Sequence, residues 1–331
     1  MTVTGSLTRP LIILTGDLGS GKTSGLPFLA EQLGSQMPYF VVNEVGASDR
    51  FVGAFGIPPS RLSLLPGGCV CCEKQEELIA LLNDLVERPH SEFDSLIVET
   101  SGLADPATIL QFLSSQLKLT HQLKIKSLVY FLDAGSDRDA GYLGPQDLTS
   151  LAVADVCVIA KTDLVSQERC DALVEAVSAA NPTVDIFQQR REGDKVVVGV
   201  IRTGEMGRAT RPLPTLANGH AGAADHSRVG VLNFELPFGT SWLALSTWLI
   251  ALLHTPEGGV LRVKAAIPYS RGWVTLNGVG TIVFPPDSSD FSHGHERPLG
   301  TLVVIGNGLS QDHMLRSLRA FVSSDITTMH A

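Results

Sequence analysis

The stretch GDLGSGKTS at 16–24, directly after the apolar run LIILT, constrains this chain more than any other feature. Gly16 to Thr23 satisfies G-x-x-x-x-G-K-[ST], a phosphate-binding loop when a strand precedes it and a helix follows. Gly16, Gly19 and Gly21 let the backbone curl so that successive N–H groups point at phosphate oxygens, and the new helix adds its positive end. Lys22 would reach the β- and γ-phosphates, and the Thr23 hydroxyl would ligate Mg²⁺. The alternative is a chance glycine turn, which the order of strand, motif and helix disfavours. Gly25 and Pro27 fall in the first turns of that helix. Pro27 cannot donate to the carbonyl four residues back, so a bent or loosened helix start is expected.

The surroundings suit a parallel sheet. Short apolar runs alternate with helical patterns through the first 200 residues: LIILT (11–15), YFVVN (39–43), SLIVE (95–99), SLVYFLD (127–133) and VCVIA (156–160). Their near-continuous apolar character predicts strands buried on both faces. Leu78, Leu81, Leu82 and Leu85 recur at helical spacing within 73–88, and 166–180 opens with Ser166 placed to cap a helix. The pattern predicts an α/β, doubly wound, mostly parallel domain over 1–202. Residues 203–228 are rich in Gly, Ala, Pro and Thr without periodicity and read as a flexible linker. A smaller α+β domain is expected over 229–331. Its strands are predicted at 229–236, 260–267, 273–278, 280–284 and 301–306, and its helices at 241–253 and 310–322.

Composition narrows the function. The 331-residue chain carries 25 Lys and Arg against 34 Asp and Glu, a net charge of −9, which argues against a nucleic-acid partner. No apolar run approaches the roughly 20 residues of a membrane span. The apolar core near the start is too short for a secretory signal and Arg9 is poorly placed for one, so a cytoplasmic location is expected. Five cysteines, an odd count, do not read as a disulfide framework. Cys157, within DVCVIA, reads as core packing.

Two further strand ends carry polar signals. SLIVETSGLADP (95–106) ends its strand in Glu99, with Gly102 and Asp105 in the turn beyond. Beside a phosphate loop, such an acid can hold Mg²⁺ through water or orient an attacking water; by itself it would be a polar strand terminus. VIAKTDL (158–164) matches the guanine-reading N-K-x-D element, with Asp163 accepting from the base and the Lys161 stem lying against the ring. Ala160 stands where Asn is usual, removing one polar contact to the base. The alternative is a charged loop after a buried strand.

PGGCVCCEKQEEL at 66–78 crowds Cys69, Cys71 and Cys72 between a glycine turn and the start of a helix. In a straight strand Cys72 would point away from the other two, so three sulfurs converge only where the backbone turns, which Gly67-Gly68 permits. Thiolates near a helix start ionise more readily. Three soft ligands with a fourth position open suit Zn²⁺, Cu(I), Co²⁺ or Ni²⁺ held for delivery. A redox-active thiol pair or packing cysteines are the alternatives.

Taken in order, GDLGSGKTS, GGCVCC, ETSGLADP and AKTDL resemble the CobW-type P-loop GTPases, metal-chaperone and metal-insertion proteins related to the urease and hydrogenase nickel accessory GTPases. VLRVKAAI…GWVTLNGVG and LVVIGNGLSQDHMLRSL are similar to that family's C-terminal domain, so the resemblance covers nearly the whole chain. It implies GTP hydrolysis coupled to metal delivery. Gly19, Ser20, Gly21, Lys22, Thr23 and Ser24 would hold phosphate and Mg²⁺, Glu99 would support Mg²⁺ or water, and Lys161 and Asp163 would read the base. Cys69, Cys71 and Cys72 would carry the metal, with zinc expected, to a client metalloprotein. The oligomeric state is left open between a monomer and a homodimer that depends on nucleotide or metal. A nucleotide-dependent activator of metalloenzyme maturation that carries no metal is the rival reading. A small-molecule phosphotransferase is a second, disfavoured because 95–140 holds no arginine cluster to clamp an acceptor.

The sequence departs from the family pattern in places. Asn43-Glu44-Val45-Gly46-Ala47-Ser48-Asp49 puts Ala47 where an acidic fourth ligand is expected; Glu44 or Asp49 are substitutes. The linker holds only His220 and His226, against high-capacity metal storage, and His293 and His295 read as a solvated loop or a transient ligand pair. The second domain would face the client, with the Trp242/Trp248 helix either part of that surface or core.

Overall fold

The computed structural model describes residues 8–32, 34–43, 57–65, 74–101, 106–136, 139, 141–193, 195–204, 229–255, 259–269, 272–290, 299–323 and 325–328. Two compact units result. The first gathers 1–142, 154–174 and 185–202, and the second gathers 143–153, 175–184 and 203–331.

The first unit is built on an eight-stranded sheet. Its strands are β1 (Arg9–Gly16), β2 (Pro38–Val42), β3 (Leu62–Leu64), β4 (Ser95–Glu99), β5 (Leu123–Asp133), β6 (Val156–Ala160), β7 (Asp185–Glu192) and β8 (Lys195–Arg202). They lie in the order β3-β2-β4-β1-β5-β6-β7-β8. All pair in parallel except β8, which runs antiparallel to β7. The mostly parallel α/β sheet is the one the alternating runs predicted. Leu11, Ile12, Ile13 and Leu14 in β1 are all essentially inaccessible, as a strand covered on both faces requires.

The five predicted strands of this sheet are all present, β1 and β5 longer than expected. β5 begins at Leu123, four residues before the apolar run at 127, because its first residues alternate buried and exposed as LKIK. Helix α1 (Lys22–Gln32) follows the phosphate loop and continues through Pro27. Helix α2 (Gln75–Val86) buries Leu78, Leu82 and Leu85. Helices α3 (Pro106–Ser114) and α4 (Leu117–Gln122) connect β4 to β5, and Pro106 occupies the first helical position, where its missing N–H costs nothing. The core of the sheet joins Leu14, Leu26, Leu29, Ile97, Phe131 and Val158, among others.

Helix α5 (Pro145–Val153) clusters with the second unit, and helix α6 (Gln167–Ala180) contributes its last residues to it. Ser166 caps α6, its hydroxyl accepting from the Arg169 N–H at 3.4 Å.

The second unit carries a seven-stranded antiparallel sheet: β9 (Val229–Leu236), β10 (Val260–Tyr269), β11 (Gly272–Val279), β12 (Ile282–Val283), β13 (Asp287–Asp290), β14 (Gly300–Asn307) and β15 (Thr327–Thr328). The order is β12-β11-β10-β14-β9-β15, with β13 also pairing to β11. The predicted strand at 280–284 shrinks to Ile282–Val283, because Gly280 takes a left-handed turn at φ +56° between β11 and β12. Helices α7 (Trp242–Leu253) and α8 (Gln311–Phe321) start at Ser241 and Ser310, whose hydroxyls accept from Ala244 N–H and His313 N–H. Trp248 is buried and donates its indole N–H to Ser317 Oγ at 3.0 Å, and Trp242 packs partly buried against the same core. Both tryptophans are therefore core residues. Among the described residues, no helix is long and apolar enough to cross a membrane.

Candidate functional site

The carboxyl ends of the parallel strands bring the polar residues together. Leu14 of β1 is level with Glu99 of β4, Gly16 with Phe131 of β5, Asp133 of β5 with Ala160 of β6, and Ala160 with Gln189 of β7. In open parallel sheets ligands bind at this edge.

The loop 16–24 has the backbone its glycines predict. Gly16, Gly19 and Gly21 take φ values of +140°, +72° and +87°. A Cβ on Gly16 would stand 2.2 Å from the Phe131 carbonyl oxygen, so the loop can lie against β5 only with glycine there. Ser20 is buried. Lys22, 6% exposed, points its ammonium across the loop and donates to Gly16 O at 3.0 Å and Asp17 O at 2.8 Å. Ser24 Oγ donates to Gly21 O at 3.2 Å.

Thr23 and Glu99, 76 residues apart, meet: the Thr23 hydroxyl donates to Glu99 Oε1 at 2.8 Å, with both residues buried. A hydroxyl and a carboxylate side by side are the hard oxygen donors that Mg²⁺ selects. The β4 end is fixed by its neighbours, since Asn43 N–H donates to Glu99 O at 3.0 Å and Thr100 N–H to Leu14 O at 2.9 Å.

On the other side of β1, Lys161 takes a left-handed backbone conformation at φ +60°, the only non-glycine to do so among the described residues. Such a conformation is costly and is held only where the surroundings impose it. Its ammonium pairs with Asp133 Oδ2 at 2.6 Å, and Asp133 Oδ1 accepts from Gly135 N–H at 2.9 Å. Asp163 Oδ1 accepts from Arg191 N–H at 3.1 Å, joining this turn to β7. Tyr130 OH donates to Asp17 Oδ1 at 3.3 Å and Asp17 N–H to Phe131 O at 3.1 Å, tying the phosphate loop to β5.

The structure thus brings together Gly16, Gly19, Ser20, Gly21, Lys22, Thr23, Ser24 and Glu99, and sets Lys161 and Asp163 two strands away. Asp133 was missed by the sequence reading, although it ends SLVYFLD as Glu99 ends SLIVE. Gln189 was missed because QQRRE reads as polar surface. Cys69, Cys71 and Cys72, the segment 44–50, Gly102, Asp105, His220, His226, His293 and His295 lie outside the described residues. Among the described residues no cluster of three or more His, Cys, Asp or Glu side chains could hold a metal. Cys157 and Cys170 are both buried.

Residues 10–188 match the CobW/HypB/UreG nucleotide-binding domain. The chain belongs to that family. Residues 231–322 match the cobalamin synthesis protein cobW C-terminal domain, so both expected members of the CobW pattern are present. The zinc chaperone YjiA of Escherichia coli is 23% identical over 91% of this chain and 95% of its own length. The zinc-regulated GTPase metalloprotein activator 1 of Schizosaccharomyces pombe is 27% identical over 54% of this chain, and the match spans 45% of that protein, about half its length. The crystal structure of Zn(II)-bound YjiA GTPase from E. coli superposes with a TM-score of 0.61 at 20% identity, covering 95% of this chain and 99% of that one. This CobW-family chain shares that fold.

Proposed function

We propose that the chain is a GTP-hydrolysing metallochaperone that carries a transition metal, zinc in the first instance, on Cys69, Cys71 and Cys72 and passes it to a client metalloprotein. The observation that carries the reading is the junction of the phosphate loop with the strand-end acid, Thr23 Oγ1 to Glu99 Oε1 at 2.8 Å, on a family member. The names of its relatives, zinc chaperones and zinc-regulated GTPase activators, support the metal half.

In this reading Gly16, Gly19, Ser20, Gly21 and Ser24 cradle the phosphates with backbone N–H groups, and Lys22 leaves the Gly16 and Asp17 carbonyls for the β- and γ-phosphate oxygens. Mg²⁺, when bound, neutralises charge on those oxygens. Thr23 and Glu99 are the residues that would hold it. Glu99 also orients the water that takes the γ-phosphoryl group, leaving GDP and phosphate. Lys161 flanks the base and Asp163 accepts from its N–H groups. Because Ala160 supplies no amide, preference for guanine over adenine rests on Asp163 alone.

The domains are taken as 1–202 for the GTPase, 203–228 for the linker and 229–331 for the client-facing unit, in a cytoplasmic protein acting as monomer or as nucleotide-dependent or metal-dependent homodimer. The activator name of the S. pombe relative favours a second reading, in which the cysteines dock a client without carrying metal. Zinc titration of wild type and of the Cys69/Cys71/Cys72→Ser triple variant separates the two. Loss of one tight site in the variant supports the chaperone, and equal affinity overturns the cysteine site. Comparing GTP with ATP turnover tests the base assignment, and faster ATP hydrolysis overturns it.

A further inference from the structure

Gln189 belongs to β7, three strands from the phosphate loop's own strand in the sheet order, yet its side chain ends beneath the loop. It is 5% exposed, and its Nε2 donates to Gly21 O at 3.1 Å. The first turn of α1 leaves a notch for it. Gly25 has no side chain, and a Cβ there would stand 2.4 Å from Gln189 Oε1 and 3.1 and 3.2 Å from the Phe131 ring. Gly21 O also accepts from Gly25 N–H at 3.1 Å, the opening helical bond of α1, so the amide reinforces the carbonyl that anchors the helix to the loop. The Oε1 atom is buried with no hydrogen-bond partner among the described residues, a cost that a side chain placed only to fill space would not carry.

The main chain of the same strand end faces the other half of the site. Thr162 Oγ1 donates to Gln189 O at 3.4 Å, and Arg191 N–H donates to Asp163 Oδ1 at 3.1 Å. Gln189 is level with Ala160, the position that carries no amide of its own. One residue therefore touches the turn 161–163 through its backbone and the phosphate loop through its side chain.

We propose that Gln189 is a positioning residue for nucleotide binding: seated in the Gly25 notch, it holds the Gly21 carbonyl and fixes the phosphate loop relative to the turn that carries Lys161 and Asp163. The proposal rests on the reading of 16–24 as a triphosphate site. Binding of a fluorescent methylanthraniloyl-GTP analogue by the full chain, with Mg²⁺, tests it in wild type, Gln189→Ala, Gly25→Ala and the double variant, alongside melting of each nucleotide-free protein. Gln189→Ala weakens binding about tenfold, the scale set by loss of one buried hydrogen bond. Gly25→Ala, which drives the amide out of its notch, does the same. The double variant binds no worse than Gln189→Ala, since the bond is lost only once. Steady-state hydrolysis shows the loss in KM, with kcat changed less than about twofold.

Wild type that binds no analogue overturns the triphosphate reading itself. Wild type that binds while Gln189→Ala binds equally well overturns the positioning role alone. Independent, multiplying losses from Gly25→Ala and Gln189→Ala, or losses explained fully by unfolded protein at the assay temperature, overturn it as well.

Discussion

At the scale of single residues, the decisive pair is Thr23 and Glu99. Their hydrogen bond joins two motifs that the sequence keeps 76 residues apart. Thr23→Ala and Glu99→Gln should each lower GTP turnover about 100-fold or more while leaving the protein folded, measured as phosphate release beside a melting curve. Gly16→Ala should abolish nucleotide binding, because the new Cβ falls 2.2 Å from Phe131 O. Directly before β4, Asp94 shows how a loop carboxylate contributes to stability. Burial alone would raise its pKa, but hydrogen bonds from Ser35 Oγ, Met37 N–H, Gln36 N–H and Ser95 hold it below the usual carboxylate range. A depressed pKa means that the stabilisation is present above the unfolded value and is lost as pH falls through the folded one. Asp94→Asn should therefore cost about 1 kcal/mol near neutrality, discounted for an exposed loop, and progressively less below about pH 4, read from denaturant unfolding at several pH values. The site residues were legible from the sequence where a motif fixes their spacing, as in 16–24. Asp133 and Gln189 were not, since one needs the pairing partner Lys161 and the other needs the notch at Gly25, and neither relation is local in the chain.

At the scale of elements, the buried parallel strands were readable because both of their faces are apolar. VCVIA and SLIVE are strands over the predicted residues, 156–160 and 95–99. The antiparallel pair β7 and β8 was missed, because DIFQQRRE is mostly polar and Gly199 interrupts the apolar run of KVVVGVIR. Helices α3, α4 and α5 were missed for their shortness. Helix starts were better marked: Ser166, Ser241 and Ser310 all cap as their side chains allow. Ser310→Ala should destabilise the second unit by about 1 kcal/mol, seen as a lowered urea midpoint with an unchanged slope. Pro27 was expected to loosen the helix after the phosphate loop, yet α1 continues through it over Lys22–Gln32. The anchoring of its first turn by Gly25 N–H and Gln189 at the Gly21 carbonyl is placed to offset the donor that proline lacks.

At the scale of the whole molecule, a parallel sheet with its polar strand ends gathered at one edge is paired with a separate antiparallel unit, and both carry family matches, over 10–188 and 231–322. The nucleotide half of the account stands on that edge, and the metal half on the cysteines at 69, 71 and 72. A chaperone must join the two: if the nucleotide changes the arrangement around the cysteines, linkage requires that zinc affinity differ between nucleotide states. The direct measurement is a zinc titration against a competing chelator, on full-length wild type and on the Cys69/Cys71/Cys72→Ser variant, with Mg²⁺ and either GDP or a non-hydrolysable GTP analogue. The account predicts zinc affinities that differ about fivefold or more between the two nucleotides in wild type, with tight binding and the difference both gone in the variant. Identical zinc affinity in both nucleotide states would contradict it.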